Sequence, residues 1–347
     1  MDQLSRVFVD TSKSIFQVHG VGADETVLVR KALRRSQFVA FFAALSPTVV
    51  GMEACGASHH WARVLGELGH EVKLIAAQHV KPYVKRNKND ARDAQAGCEA
   101  MSRPTMEFVP IKSAEQQGAL MLVGVREGLV RRRTQLSNRI RGYAAEFGLT
   151  TAQGKGRVGP MLDLIAADEH LPQMARRMFA VLGQDLCAIE AQLRQVEADL
   201  MVWHRSNRLS QRLAKIPGVG PIGACLLVMK TPDPASFKSG RQFAAWAGLT
   251  PKDHSTAGKT RMGVITRAGD EALRSTLVVG ATAVIQHVRS GKTKPSAWLQ
   301  TLLKTKPPKL AAVALANKIA RVAWKLIITG EDYDAARSMG GPGVLVT

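Results

Sequence analysis

The segment Arg6-Val7-Phe8-Val9-Asp10 decides how the N-terminal part of the chain folds. Its apolar run, closed by an acid, reads as a β-strand. Phe16-Gln17-Val18-His19 continues as a second strand and Thr26-Val27-Leu28-Val29 as a third, with Gly20 and Gly22 supplying a turn between them. Leu33 to Leu45 has the apolar spacing of a helix, which Pro47 stops. Val49-Val50-Gly51-Met52-Glu53 returns to strand. Ser58 to Leu68 reads as a helix with Gly69 just past its end, and Glu71 to Ala76 is strand-like again. Three strands followed by strand–helix–strand predict a mixed α/β sheet.

Beyond the sheet the pattern becomes helical. Leu182, Leu186, Ile189, Leu193, Val196, Leu200 and Trp203 recur in alternating steps of four and three, a heptad seam. Leu129, Leu136, Ile140, Tyr143 and Phe147 form a similar stripe upstream. The pair predicts an antiparallel helical hairpin or a dimerising coiled coil. Gly154-Lys155-Gly156-Arg157-Val158-Gly159 between them lacks the closing Gly-Lys-Ser/Thr of a P-loop and reads as a linker. From Leu209 the chain is mostly α, broken by a loop from Pro251 to Gly263, and Gly340-Gly341-Pro342-Gly343 reads as a peripheral tail. The expected division is residues 1–112 for the α/β part, 113–205 for the helical coiled-coil segment, 206–330 for a mostly α C-terminal domain and 331–347 for the tail.

The 347 residues suffice for two or three domains. Hydrophobic residues make up 46% and charged residues 22%, which excludes a disordered chain. Lys and Arg number 48 against 28 Asp and Glu, a formal net charge of +20. That excess points away from an acidic metabolic enzyme and towards a polyanionic partner. A membrane is disfavoured, because the most apolar stretch, Leu310 to Ile328, is interrupted by Asn317, Lys318, Arg321 and Lys325. Four scattered cysteines without a CxxC pair speak against a disulfide framework or zinc site and fit the cytoplasm.

Three constellations carry chemistry. Asp10 and Glu53 close strands, while Asp90 and Asp93 sit three residues apart on one face of a helix start. Carboxylates converging at one sheet edge repel unless cations neutralise them, and hard oxygen donors suit Mg²⁺ or Mn²⁺ for phosphodiester cleavage. The other reading is four separate surface acids, with Asp90 capping a helix. Ile216-Pro217-Gly218-Val219-Gly220-Pro221 resembles a helix-hairpin-helix turn, in which Gly218 and Gly220 bring backbone N–H groups to phosphate; a tight interhelical turn is the alternative. Lys252-Asp253-His254-Ser255-Thr256-Ala257-Gly258-Lys259-Thr260-Arg261 reads either as a solvated basic turn or as a loop presenting a hydroxyl to phosphate. In the second case Lys259, Arg261 and Arg267 would stabilise the developing charge.

Seven segments occur in order across residues 5 to 330. They are Val9 to Lys13, Met52 to Gly56, Lys88 to Ala94, Ile216 to Gly220, Phe243 to Pro251, His254 to Lys259 and Ile265 to Asp270. In this ordered set the chain resembles the DEDD-type insertion-sequence transposases of the one-ten family, in their eleven-eleven branch. The resemblance implies an RNase H-like (RuvC-like) N-terminal domain with Asp10, Glu53, Asp90 and Asp93 as metal-binding catalytic carboxylates. It also implies a C-terminal transposase domain with Ser255 as nucleophile, Thr256 being a neighbour that an alignment slip could substitute. It further implies bridge-RNA-guided recombination. An element-encoded structured RNA would pair with donor and target DNA, and a dimer or tetramer would build a composite site. The alternative is a metal-dependent junction endonuclease that acts by hydrolysis and needs no Ser255.

Overall fold

β1 (Arg6–Asp10) is the strand around which the first of two compact units, Met1–Gly118, is built; the second is Ala119–Thr347. The computed structural model describes residues 4–84, 90–152, 154–231, 233–256 and 258–334, with the side chains of Asp90 and Lys155 outside that description.

β1 belongs to a six-stranded sheet of order β3-β2-β1-β4-β5-β6. β2 (Ile15–Val21) and β3 (Val27–Arg34) extend it as antiparallel neighbours. β4 (Val49–Glu53) and β5 (Glu71–Ile75) join parallel, and β6 (Phe108–Val109) closes the edge antiparallel. Side chains alternate across β1, so Val7 and Val9 face one layer and Phe8 the other. Val7 and Val9 share a core with Phe16, Phe38, Phe42 and Trp61 under α1 (Phe38–Ala43) and α2 (Ser58–Glu67). Phe16 and Trp61 meet Phe38 edge-on at centroid distances of 4.8 and 4.9 Å. Burying each such ring stabilises the fold by roughly 1.5–3 kcal/mol. Phe8 instead packs with Ile75, with Val80 of α3 (Ala77–Val80), and with the small residues of α4 (Asp90–Ala100).

The helix expected from Leu33 to Leu45 is shorter. Leu33 pairs with Phe16 in the β2–β3 ladder, so strand continues to Arg34 and α1 begins at Phe38. β6 has only two residues and no sequence signal of its own.

α5 (Ala114–Glu146), which belongs to the second unit from Ala119 onward, and α7 (Gln173–Ser206) share one core. Leu129, Leu136 and Ile140 meet Leu186, Ile189 and Leu193, so the heptad seam is satisfied within the chain as a helical hairpin. Arg126 and Glu197 pair across it at 2.7 Å. Near the end of α5 the buried position is Ala144, while Tyr143 and Phe147 are 47% and 42% exposed. The small side chain shares the core with Val158, Met161 and Ile165 of α6 (Val158–Ala167). The expected linker therefore shrinks: Lys155–Arg157 form a single 3₁₀ turn and Val158, 2% exposed, already belongs to α6.

The remaining helices are α8 (Arg208–Leu213), α9 (Pro221–Lys230), α10 (Gly240–Trp246), α11 (Glu271–Arg289), α12 (Ala297–Thr305) and α13 (Pro308–Thr329). Buried Ala311, Ala312, Ala316, Ala320 and Ala323 make α13 slim enough to lie in the middle of this core. Residues 251–263, expected as a loop, contain most of a hairpin of β7 (Pro251–Asp253) and β8 (Met262–Ile265). Gly340 to Gly343 lie outside the described residues. Among the described residues no helix is long and apolar enough to cross a membrane.

Candidate active site

Asp10 and Glu53 end neighbouring parallel strands. The ladder pairs Phe8 with Gly51 and Val9 with Met52, which sets Asp10 level with Glu53. Both share strand parity with Phe8 and Gly51, so both belong to the face that α4 covers. Just past them, Thr11 Oγ1 lies 3.4 Å from Cys55 Sγ and ties the two strand ends together.

α4 crosses this face against the direction of β1. Arg6 Nε donates to the Cys98 carbonyl at 3.1 Å, Gly97 abuts the Phe8 ring, and Met101 reaches Gly51. Chain direction therefore carries the start of α4 towards the Asp10 end of β1. Four residues of helix rise about 6 Å, and two residues of strand about 6.6 Å. Asp93, one helical turn before Gly97, thus arrives at the level of Asp10 on the sheet-facing stripe. Asp10, Glu53 and Asp93 are all half-buried. Asp90 opens α4 a turn earlier, and its side chain is not described. Among the described residues no three His, Cys, Asp or Glu side chains come close enough to hold one ion. Asp10, Glu53 and Asp93 thus share an edge and a face without forming a closed ligand set among themselves.

Ser255 lies just past β7, at the open end of the β7–β8 ladder. Its N–H donates to Asp253 Oδ1 at 2.8 Å, and its Oγ accepts from the Arg261 N–H at 3.0 Å. Hydrogen bonds from the Ser255 hydroxyl and backbone hold the Asp253 carboxyl below its ordinary range. The His254 N–H donates to the Arg261 carbonyl, and Thr256 exchanges backbone bonds with Lys259. Ser255, Thr256, Lys259 and Arg261 are exposed together on this turn. Ala257 lies outside the described residues. Asp253 is the partner that reading the loop residue by residue overlooked. The signal was an Asp two residues before a Ser, the spacing of an Asx turn.

Arg267 is elsewhere. Six residues of extended chain, about 20 Å, separate it from Arg261. Its backbone is left-handed (φ 56°), where Gly248 and Gly269 bring the chain segments flanking the hairpin into backbone contact. A Cβ on Gly248 would lie 2.0 Å from the Ala268 carbonyl oxygen. The Gly218 turn joins α8 to α9 and is pressed against α11, because a Cβ on Gly280 would fall 1.8 Å from the Gly218 carbonyl oxygen. Gly220, at the start of α9, faces open space.

Residues 7–147 match a DEDD-type, IS110-type transposase family, and residues 210–295 match the family described as Transposase IS116/IS110/IS902. The Sinorhizobium fredii protein y4pF/y4sB, which its name places among transposases, is 61% identical over 97% of this chain and 87% of its own. A Pseudomonas aeruginosa protein named as a family 20 transposase is 46% identical, over 93% and 97%. The transposase for insertion sequence element IS1111A of Coxiella burnetii is 38% identical, over 96% and 92%. The chain belongs to the IS110 family of transposases. These are enzymes that cut and rejoin DNA. In this transposase the first match covers the six-stranded sheet from Val7 onward and α4, and the second contains the serine hairpin and α11.

Proposed function

We propose that the transposase moves a DNA element by serine-dependent strand exchange, guided by an RNA that the element encodes. The observation that carries this reading is the shared edge. Asp10 and Glu53 end adjacent strands on the α4 face, and α4 runs so that its first turn is directed towards that edge. The order β3-β2-β1-β4-β5, three antiparallel strands and then two parallel ones, supports an RNase H-like fold for this unit. Asp10, Glu53, Asp90 and Asp93 offer only hard carboxylate oxygens, the donor type that Mg²⁺ or Mn²⁺ takes. Such an ion would polarise the phosphodiester and stabilise the leaving oxygen. The chain's own part is to hold two of these carboxylates on strand ends and two on one helix turn.

In the second unit the Ser255 Oγ forms a bond to phosphorus as one P–O bond of the DNA backbone breaks. Its proton leaves by way of the Asp253 carboxylate to water, and the departing strand oxygen takes up a proton. One phosphodiester replaces another, so religation needs no ATP. Lys259 and Arg261 flank the hydroxyl and offset the charge that develops on the phosphate. Gly220 and Arg267 serve as phosphate contacts, while Gly218 sets the turn that presents Gly220. A net charge of +20 suits a protein that neutralises the phosphates of an RNA and two duplexes. Because the heptad seam is used internally, oligomerisation falls to other surfaces. Tyr143, Phe147, Met174, Met178 and Val181 form an exposed apolar face at one end of the hairpin that supports a dimer or tetramer.

Sequencing the nucleic acid that copurifies with the protein tests the guide; one discrete structured RNA is expected, and random fragments would refute it. Trapping DNA adducts with Mg²⁺ tests the nucleophile. An adduct on the Ser255 peptide that Ser255→Ala abolishes is expected. Full cleavage by Ser255→Ala would replace strand exchange with hydrolysis, and loss only in Thr256→Ala would move the nucleophile by one residue.

A further inference from the structure

On the Pro251–Ile265 side of the hairpin, away from Ser255, the fold leaves a cavity of about 680 Å³ between β7–β8, α10, α12 and α13. Pro251, Gly263, Val264 and Ile265 form one wall. Five basic residues contribute to the lining: Arg241, Arg267, Lys309, Lys318 and Arg321. No acidic residue lines it. Its remaining surface is apolar, apart from Asn317, whose Nδ2 donates to the Leu249 carbonyl at 3.3 Å.

Such a lining is unfavourable for the protein alone. Lys318 is only 9% exposed, with its ammonium 4.4 Å from the centroid of the Trp298 ring. Burial pulls the Arg321 guanidinium below its ordinary range, and the nearby Arg241 pulls it further. Burial acts on Lys318 in the same direction, and Arg321 adds to it. Clustering like charges beside apolar walls costs free energy that a polyanion returns on binding. The cavity has the dimensions of a small-ligand pocket, so it cannot enclose a duplex. It can take the backbone of one strand.

We propose that this groove holds the single DNA strand flanking the phosphodiester that Ser255 addresses, gripping its phosphates rather than reading its bases. β8 is both a wall of the groove and the return strand of the serine hairpin. From Pro251 to Ser255 the chain advances about 13 Å, so a strand seated in the groove leads directly to the turn. Arg241, Arg267, Lys309 and Arg321 take phosphate oxygens, and exposed Val264 and Leu310 offer apolar contact to sugars at the lip. The proposal rests on the DNA-processing reading above but not on the identity of the nucleophile.

The test is binding of the full-length protein to a fluorescent single-stranded DNA oligonucleotide of mixed sequence, across about 50–200 mM salt. Arg241→Gln combined with Arg321→Gln removes two phosphate contacts. The plot of log K against log salt should become shallower by about 1.4, and affinity at the low-salt end should fall tenfold or more. Thermal stability should hold or rise, since two repelling cations are gone. Arg267→Gln with Lys309→Gln, both exposed, repeats the measurement without touching the interior. Arg289→Gln, exposed on α11 outside the groove, should leave the slope unchanged. Unchanged slope and affinity in both double variants would overturn the proposal. So would weakened binding to an RNA oligonucleotide of the same length with DNA binding intact. Ser255→Ala should bind the DNA oligonucleotide like wild type, so a failure of the nucleophile assignment appears in the adduct assay and not here.

Discussion

Gly97→Ala is expected to damage a site from which its own side chain is absent. Helix propensity alone makes this substitution stabilising by about 1 kcal/mol. Packing predicts the opposite sign. A Cβ at position 97 would lie 2.2 Å from Cε1 and Cζ of Phe8, whereas ordinary carbon contacts begin at 3.4 Å. Phe8 is 1% exposed and held between two layers, so the ring has nowhere to turn. Restoring contact distance means lifting α4 off the sheet by about 1.2 Å, the difference between these two distances. Overpacking of this kind costs about 1–3 kcal/mol, and a direct backbone-borne clash with a fixed ring belongs at the upper end. The net expectation is destabilisation of the first unit by about 2 kcal/mol, read by urea unfolding. The same displacement carries Asp93 away from Asp10 and Glu53. If these carboxylates form the reacting centre proposed above, an error of about 1 Å there costs on the order of 100-fold in rate. On that reading DNA cleavage should fall about 100-fold, while DNA binding through the groove proposed in the second unit should persist. Phe8→Val removes the clashing ring atoms and alone costs about 2–3 kcal/mol through the cavity it leaves. The double variant should be clearly less damaged than the sum of the two. Equal or higher stability of Gly97→Ala with normal cleavage would refute the docking of α4 described above.

Two further expectations concern the serine hairpin and an interior histidine. Asp253→Ala removes the acceptor for both the Ser255 N–H and its hydroxyl and, on the proposed mechanism, the carboxylate through which the Ser255 proton leaves; the rate of Ser255 adduct formation should fall about 100-fold or more, with DNA affinity unchanged, in a single-turnover trapping assay. His59 is 6% exposed, and burial, then Lys112 and Arg63, push its pKa down to about 4. Its neutral form is thus the one the fold accepts: its contribution to stability is complete above the ordinary value of 6.5 and is lost as pH falls from there towards 4. Unfolding of the wild type should become easier across that window, and His59→Gln should flatten the decline; parallel pH profiles would exclude His59 as its source.

The strand ends were legible because β1, β4 and β5 carry dense apolar runs between charged or glycine punctuation. Asp10 and Glu53 could be read as strand-closing acids for that reason. Their common face was not legible. It depends on the pairing of Val9 with Met52, two residues more than forty positions apart that no local pattern links. Gly97 was invisible for a different reason: within a helix a glycine reads as a weak position, and only the approach of Phe8 gives it a purpose. The β7–β8 hairpin escaped because β7 has three exposed residues and no alternation. Ala144 displaced Tyr143 and Phe147 from the core because heptad counting rewards size, whereas the space beside α6 admits a methyl group. The cationic groove draws on residues from 241 to 321 in three helices, two strands and the chain between them, so charge composition announced a polyanion without saying where it would lie.

The hairpin that carries Ser255 has another consequence, in kinetics. Every side chain of β7 is exposed, and β8 has only Ile265 even half-buried. An element with so little buried surface opens at a small fraction of the free energy that holds the helical core together. The hydroxyl thus sits on an element held by less buried surface than the helical core, whereas Gly248 and Gly269 bring the segments at its base into backbone contact. On the proposed reading of Ser255 as nucleophile, a hydroxyl mounted this way would spend time out of register with any phosphate that brushes past it. Only a strand that remains long enough to order both sides of the hairpin meets it in attacking position. Under that proposal residence time would become the criterion for cutting, and brief encounters along a chromosome would pass without a break.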